Sequence, residues 1–167
     1  MRALKILFLL LIFTMATPAY AHQPVFLLDT DTSAANGPLL VDGTVSFAVR
    51  ISFTKSGQTR AFRAGFQQGD QLSLQYLIVD KKPENVLKSS QLPTVTIISP
   101  TGQKVALQIT ERTKFYEPFG RTNYFYLSRY NGAAEAGIYS IVITSRVKSS
   151  ITIAIGEREV QGQVERK

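Results

Sequence analysis

Between Gly43 and Phe53 the chain alternates without a break, with Val45, Phe47, Val49, Ile51 and Phe53 set against Ser46, Ala48, Arg50 and Ser52. A two-residue period is the mark of a strand with one face in a core and the other in water. The rhythm recurs along the chain. In Thr59–Phe66 the apolar set is Phe62, Ala64 and Phe66, and in Thr122–Tyr130 Phe125 and Leu127 alternate with tyrosines. Gln71–Val79 is apolar on both sides, with Leu72, Leu74, Tyr76 and Ile78 facing one way and Leu77 and Val79 the other, which predicts a central strand. Val25–Leu28, Thr94–Ile98 and Lys104–Thr110 are shorter candidates. Glu135–Glu157 holds two β-branched arms, Ile138–Thr144 and Ile151–Ile155, bounded by Gly137 and Gly156 and joined by the polar turn Arg146–Ser149. This spacing predicts a β-hairpin.

The polar segments between these runs read as turns. Asp29–Leu39 is rich in turn formers, Thr54–Gln58 with Gly57 predicts a second hairpin, and Gln67–Asp70 and Ser99–Gly102 carry the glycine or proline a tight turn uses. Asp80–Gln91 breaks the strand rhythm, with Pro83 placed to open a single helical turn, and Glu111–Gly120 reads as irregular. Eight or nine short strands with almost no helix predict an all-β fold, a two-sheet antiparallel sandwich or jelly roll over residues 22–157. The polar stretch 158–167 is expected to fray. The lack of crossover helices excludes a parallel α/β architecture.

Residues 1–21 are a different kind of segment. Arg2 and Lys5 precede an apolar run, Ile6 to Met15, and Ala19-x-Ala21 is a small-residue cleavage pattern, so the expectation is a signal peptide with His22 as the new N-terminus. The run is too short for a span, which takes about 20 apolar residues, and no later stretch is as long. Export to the periplasm or beyond, with no membrane span after cleavage, follows. Cleavage leaves 146 of 167 residues, enough for one domain burying roughly 68% of its unfolded surface. The absence of cysteine excludes disulfides, thiolate metal sites and a cysteine nucleophile. With Arg2 and Lys5 removed, 17 basic residues face 12 acidic ones, a net charge of +5. The bases are dispersed, which argues against nucleic acid and for a mild attraction to anionic surface polymers.

The order FRAGFQQGDQLSLQYLIV, PTVTIISPTGQKV, EAGIYSIVIT and SSITIAIG resembles the bacterial pre-peptidase C-terminal domain, a jelly-roll accessory module of secreted proteins similar in architecture to collagen-binding modules. The resemblance covers about Thr59–Gly156, and its most specific piece is Ala136-Gly137-Ile138-Tyr139. It implies a sandwich and an accessory, non-catalytic role. The sequence departs from the family at Gln58–Phe62, where an acidic residue often precedes the phenylalanine and none stands here.

Candidate chemistry is sparse. His22 is the one histidine, and a terminal amine with its own imidazole can chelate copper, although such sites usually add a second histidine. Asp29, Asp31 and Asp42 offer carboxylates two apart with a third nearby, and calcium is the cation such a loop would take. Asx turns account for the same residues. A serine triad lacks a placed histidine base, and Glu111 with Glu117 is the one carboxylate pair near aromatics. An enzyme is therefore not expected, nor a cofactor other than calcium.

Phe115–Tyr130 is the outstanding compositional feature, with four of the six tyrosines beyond residue 21 in sixteen residues, together with Arg121 and Arg129. Rigid amphipathic rings beside arginine are typical of recognition surfaces. Strand alternation predicts Phe125 and Leu127 in the core and Tyr124, Tyr126 and Tyr130 on an outer face near Arg121. The function expected is an exported binding or adhesion module acting on a cell-envelope polysaccharide or protein, the alternative being a secreted copper- or calcium-binding protein.

Overall fold

The computed structural model describes residues 22–166; the expected leader, residues 1–21, and Lys167 lie outside them. Twelve strands occur among the described residues: β1 (Gln23–Phe26), β2 (Leu39–Leu40), β3 (Phe47–Phe53), β4 (Thr59–Phe66), β5 (Gln71–Val79), β6 (Thr94–Ile98), β7 (Lys104–Ala106), β8 (Thr113–Glu117), β9 (Thr122–Ala133), β10 (Gly137–Thr144), β11 (Ser149–Ile155) and β12 (Val164–Glu165). They form two six-stranded sheets. The first has the order β1-β3-β11-β5-β9-β8 and the second β12-β2-β4-β10-β6-β7. The all-β two-sheet sandwich is thus what the alternation predicts, with more strands than counted from the pattern. No helix among the described residues is long and apolar enough to cross a membrane.

Along the central part of the chain successive strands change sheets: β3 lies in the first, β4 in the second, β5 in the first, and β10 and β11 in the second and first. Neither expected hairpin forms. β10 pairs with β4 and β6, whereas β11 pairs with β3 and β5. The reason lies in the buried sides of the two arms. Tyr139, Ile141 and Ile143 on one and Ile151, Ile153 and Ile155 on the other are all buried, and they meet across the core from opposite layers. Thr54–Gln58 likewise carries the chain from one layer to the other, since β3 and β4 do not pair. Alternation fixes which side of a strand is apolar but carries no information about its lateral partner. Two pairs, β1 with β3 and β2 with β4, are parallel, so the sheets are mixed.

Val45, Phe47, Val49, Ile51 and Phe53 are all buried, as expected from their register. They pack with Phe62, Leu74, Tyr76, Ile141 and Ile153 in one core cluster. Burying each side chain of this size contributes about 1.5–3 kcal/mol. Tyr76 keeps its hydroxyl satisfied by donating to the Pro93 carbonyl at 3.0 Å, and burial pushes its phenol well above the ordinary range. Gly156 ends β11 with φ +73°, and a Cβ there would sit 2.1 Å from the Val45 carbonyl oxygen, so that turn requires glycine.

Three further expectations change. Thr113–Glu117, read as irregular, is a strand, because its partner β9 runs on beside it. Beyond Ala106 the candidate Lys104–Thr110 leaves the sheet. Residues 158–166 do not fray: Arg158 bridges to Val45, β12 pairs with β2, and Arg166 donates to Asp31 at 3.0 Å. Pro83 does precede one 3-10 turn, Glu84–Val86, whose Glu84 carboxylate accepts from the Ser150 amide at 3.0 Å.

Candidate functional site

The outward positions of the first sheet fall into register. Phe26 stands opposite Arg50, Arg50 opposite Thr152, Thr152 opposite Leu77, Leu77 opposite Tyr126 and Tyr126 opposite Thr113, one row crossing all six strands. These residues alternate with the buried Val49, Ile51, Ile151, Ile153, Tyr76 and Ile78, so the row faces away from the core. A parallel row places Pro24, Ala48, Ala154 and Gln75 beside it. Small residues in the middle and large rings at the β8–β9 side leave a trough of about 560 Å³. Its walls include Phe115 and Tyr124, opposite each other in the β8–β9 ladder, and Phe119 at the turn joining those strands.

The rings are held by specific contacts. Phe115 and Tyr126 lie 5.1 Å apart at 38°, and the Arg129 guanidinium sits 4.1 Å over the Tyr126 ring while pairing with Glu111 at 3.1 Å. Partial burial raises the Tyr126 phenol pKa, Arg129 opposes that and Glu111 adds to it. Glu117 lines the trough, yet its carboxylate accepts the Phe119 and Gly120 amides at 2.7 and 2.6 Å and so serves to close the turn. Arg50 stands out. Its guanidinium lies 5.6 Å from the centre of the Phe26 ring, and no carboxylate pairs with it among the described residues.

Of the expected platform residues, Tyr124 and Tyr126 both line this trough. Tyr130 does not. In the β5–β9 ladder Tyr76 faces Ser128 but Leu77 faces Tyr126, so Leu127 is an extra residue, a β-bulge. Leu127 and Ser128 are both buried, and the bulge switches the alternation, turning Tyr130 inward opposite Leu74 against the core. Phe125, opposite Ile78, packs on the core as expected. Arg121 occupies the β8–β9 turn with φ +49°, is exposed, and does not line the trough. The alternation of β9 alone missed Arg50, Leu77 and Thr152, whose signal was present as outward positions of strands far apart in sequence.

The acidic candidates are engaged elsewhere. Asp29 pairs with the buried Arg60, Asp31 accepts from Arg166 at 3.0 Å and from the Leu28 amide at 2.8 Å, and Asp42 accepts from Arg158 and the Thr44 amide at 2.9 Å each. Asp42 is also bonded by the Thr44 hydroxyl at 2.6 Å; partial burial works to raise its pKa, but Thr44 and Arg158 together hold it below the usual value. Among the described residues no three His, Cys, Asp or Glu side chains gather as a metal site would need. His22 lies at the rim of the trough with Nδ1 against the Ser46 hydroxyl, the nitrogen an amine–imidazole chelate would use. Glu111 is bound to Arg129 and Thr113 and stands outside the trough lining.

No family model matches the chain, and no curated protein matches it. Among solved structures, Salmonella Typhimurium PliG, a periplasmic lysozyme inhibitor of g-type lysozyme, is similar over 81% of this chain and 98% of its own, at 10% identity and TM-score 0.41. The pre-peptidase C-terminal domain of collagenase from Bacillus anthracis is similar over 89% of this chain and 99% of its own, at 6% identity and TM-score 0.40. Aeromonas hydrophila PliG gives 13% identity and TM-score 0.39 over 81% of this chain and 99% of its own. Likeness at this level assigns neither a family nor a partner.

Proposed function

We propose that this chain is an exported, non-catalytic binding or adhesion module that holds a cell-envelope polysaccharide or protein in the trough on the outer face of its first sheet. The observation that carries this reading is the gathering of Phe115, Phe119, Tyr124 and Tyr126 along one wall of an open, preformed concavity. Aromatic rings bring large contact area with little entropy to lose, which is what a binding wall requires. Export is supported by the leader pattern of residues 1–21. A non-catalytic role is supported by the use of Glu117, the one carboxylate of the trough lining, as an acceptor for its own turn.

The test compares Tyr124→Ser with Tyr126→Ser against Phe125→Ala, reading thermal stability and retention on purified cell envelope. The tyrosine pair is expected to keep the fold and lose retention, and Phe125→Ala to lower stability. Unchanged retention by a folded tyrosine double variant overturns the reading.

A further inference from the structure

We propose that the trough takes an acidic oligosaccharide lying across the strands, with a uronate carboxylate on Arg50 and a sugar ring packed against the aromatic wall at Tyr124, beside Tyr126. The inference rests on the binding-module reading above and names its ligand class. It starts from an imbalance among the arginines. Arg60, Arg129, Arg158 and Arg166 each pair with a carboxylate, and Arg63, Arg112 and Arg146 donate to backbone carbonyls. Arg50 and Arg121 do neither among the described residues; Arg121 sits in the β8–β9 turn outside the trough, whereas Arg50, on β3 one strand in from the sheet edge, is exposed in its lining. Glu117, the one acid of the lining, stands on β8 at the far side of the sheet and is already bonded by two amides. The site therefore presents an uncommitted planar cation with its donors unspent, the geometry that receives a carboxylate in two parallel bonds.

The row from Arg50 through Thr152 and Leu77 to Tyr126 sets the ligand's length. Three strand spacings separate β3 from β9, about 14 Å, more than one sugar ring covers. The groups in between choose the chemistry. The Thr152 hydroxyl and the Gln75 amide line the trough, and the Tyr124 and Tyr126 hydroxyls add further donors at the aromatic wall. An acyl chain laid along the row would bury those polar groups unpaired, which is costly. A peptide bound as an added strand needs a sheet edge with open backbone groups, whereas this is a sheet face whose amides and carbonyls are spent in the ladders. A polyhydroxylated chain with apolar ring faces and a periodic negative charge satisfies both.

The experiment uses the chain without residues 1–21 on an array of oligouronates (oligogalacturonate, oligomannuronate, oligoguluronate and glucuronate-containing oligomers), each beside its carboxyl-reduced counterpart. At least one oligouronate is expected to bind, with its reduced form weaker by roughly ten- to hundredfold. Arg50→Gln should weaken the acidic form by the same factor and leave the reduced form unchanged, with Arg50→Lys recovering part of the loss. Binding to no oligouronate, equal binding of acidic and reduced forms, or an unaffected Arg50→Gln each overturns the proposal. Purified envelope separates the two readings. Retention lost in the tyrosine pair but indifferent to Arg50→Gln, or abolished by protease treatment of the envelope, ends the acidic-glycan proposal and leaves the binding module standing. Retention indifferent to the tyrosine pair ends the binding-module reading itself.

Discussion

The two sheets are built on the same alternation and cover the same core, but their outer faces differ in kind. On the second sheet the outward rows pair Ser140 with Arg63 and Ile98, Val142 with Ala61 and Thr96, and Thr144 with Thr59 and Thr94. These side chains are mostly small or β-branched, and the Thr59 and Thr144 hydroxyls lie 3.4 Å apart, bonded to each other. On the first sheet the corresponding rows carry Arg50, Leu77, Tyr124, Tyr126 and Phe115 around a 560 Å³ trough. Strand-forming tendency suits both faces equally well. Large rings gathered around a trough on one face only therefore mark a demand other than folding.

The largest expected effect is on what the faces share. Phe47→Ala removes a fully buried ring from between the sheets and is expected to cost about 3–5 kcal/mol in chemical denaturation; a loss under about 1 kcal/mol would place Phe47 outside the core. Next comes the edge of the second sheet. Arg166→Ala leaves the Asp31 carboxylate, 2% exposed, without its cation, and should cost about 1–3 kcal/mol with envelope retention unchanged. A loss of retention equal to that of the tyrosine pair would show that the faces are not independent.

Much of this contrast was legible in the sequence and part of it was not. Val45 to Phe53 could be placed face by face because each residue obeys the two-residue period. Tyr124 and Tyr126 could be put outside for the same reason. Tyr130 could not, because the bulge at Leu127 arises from pairing with β5, a strand some fifty residues earlier, and nothing local to β9 signals it. The Ile138–Thr144 and Ile151–Ile155 arms were recognisable as strands, but the layer each joins depends on partners as distant as β3 and β4. The trough was hidden for the same reason: Arg50, Leu77, Tyr126 and Thr152 become neighbours only when four strands are ordered.

Smaller effects sharpen the comparison. Thr152→Trp fills the middle of the trough from an outward position, so envelope retention should fall while the melting temperature stays within a few degrees of wild type; Val142→Trp, outward on the second sheet, should leave retention unchanged. The smallest effect is on pH dependence. Because the folded Asp42 pKa lies below its ordinary 3.8, its contribution is fully present above that value and is lost as pH falls through the lower folded one. Asp42→Asn should flatten the stability profile in that acid range alone, as followed by denaturant midpoints at successive pH values.

The claim that one outer face binds and the other does not is tested most directly by amide chemical-shift mapping of the isotopically labelled chain during titration with solubilised envelope polysaccharide and protein fractions. The account predicts that the perturbed amides cluster at Ala48, Arg50, Leu77, Tyr124, Tyr126, Thr152 and Ala154, with Thr96, Ser140, Val142 and Thr144 unmoved. Perturbations centred on that second set, or confined to the loops between the sheets, would contradict it.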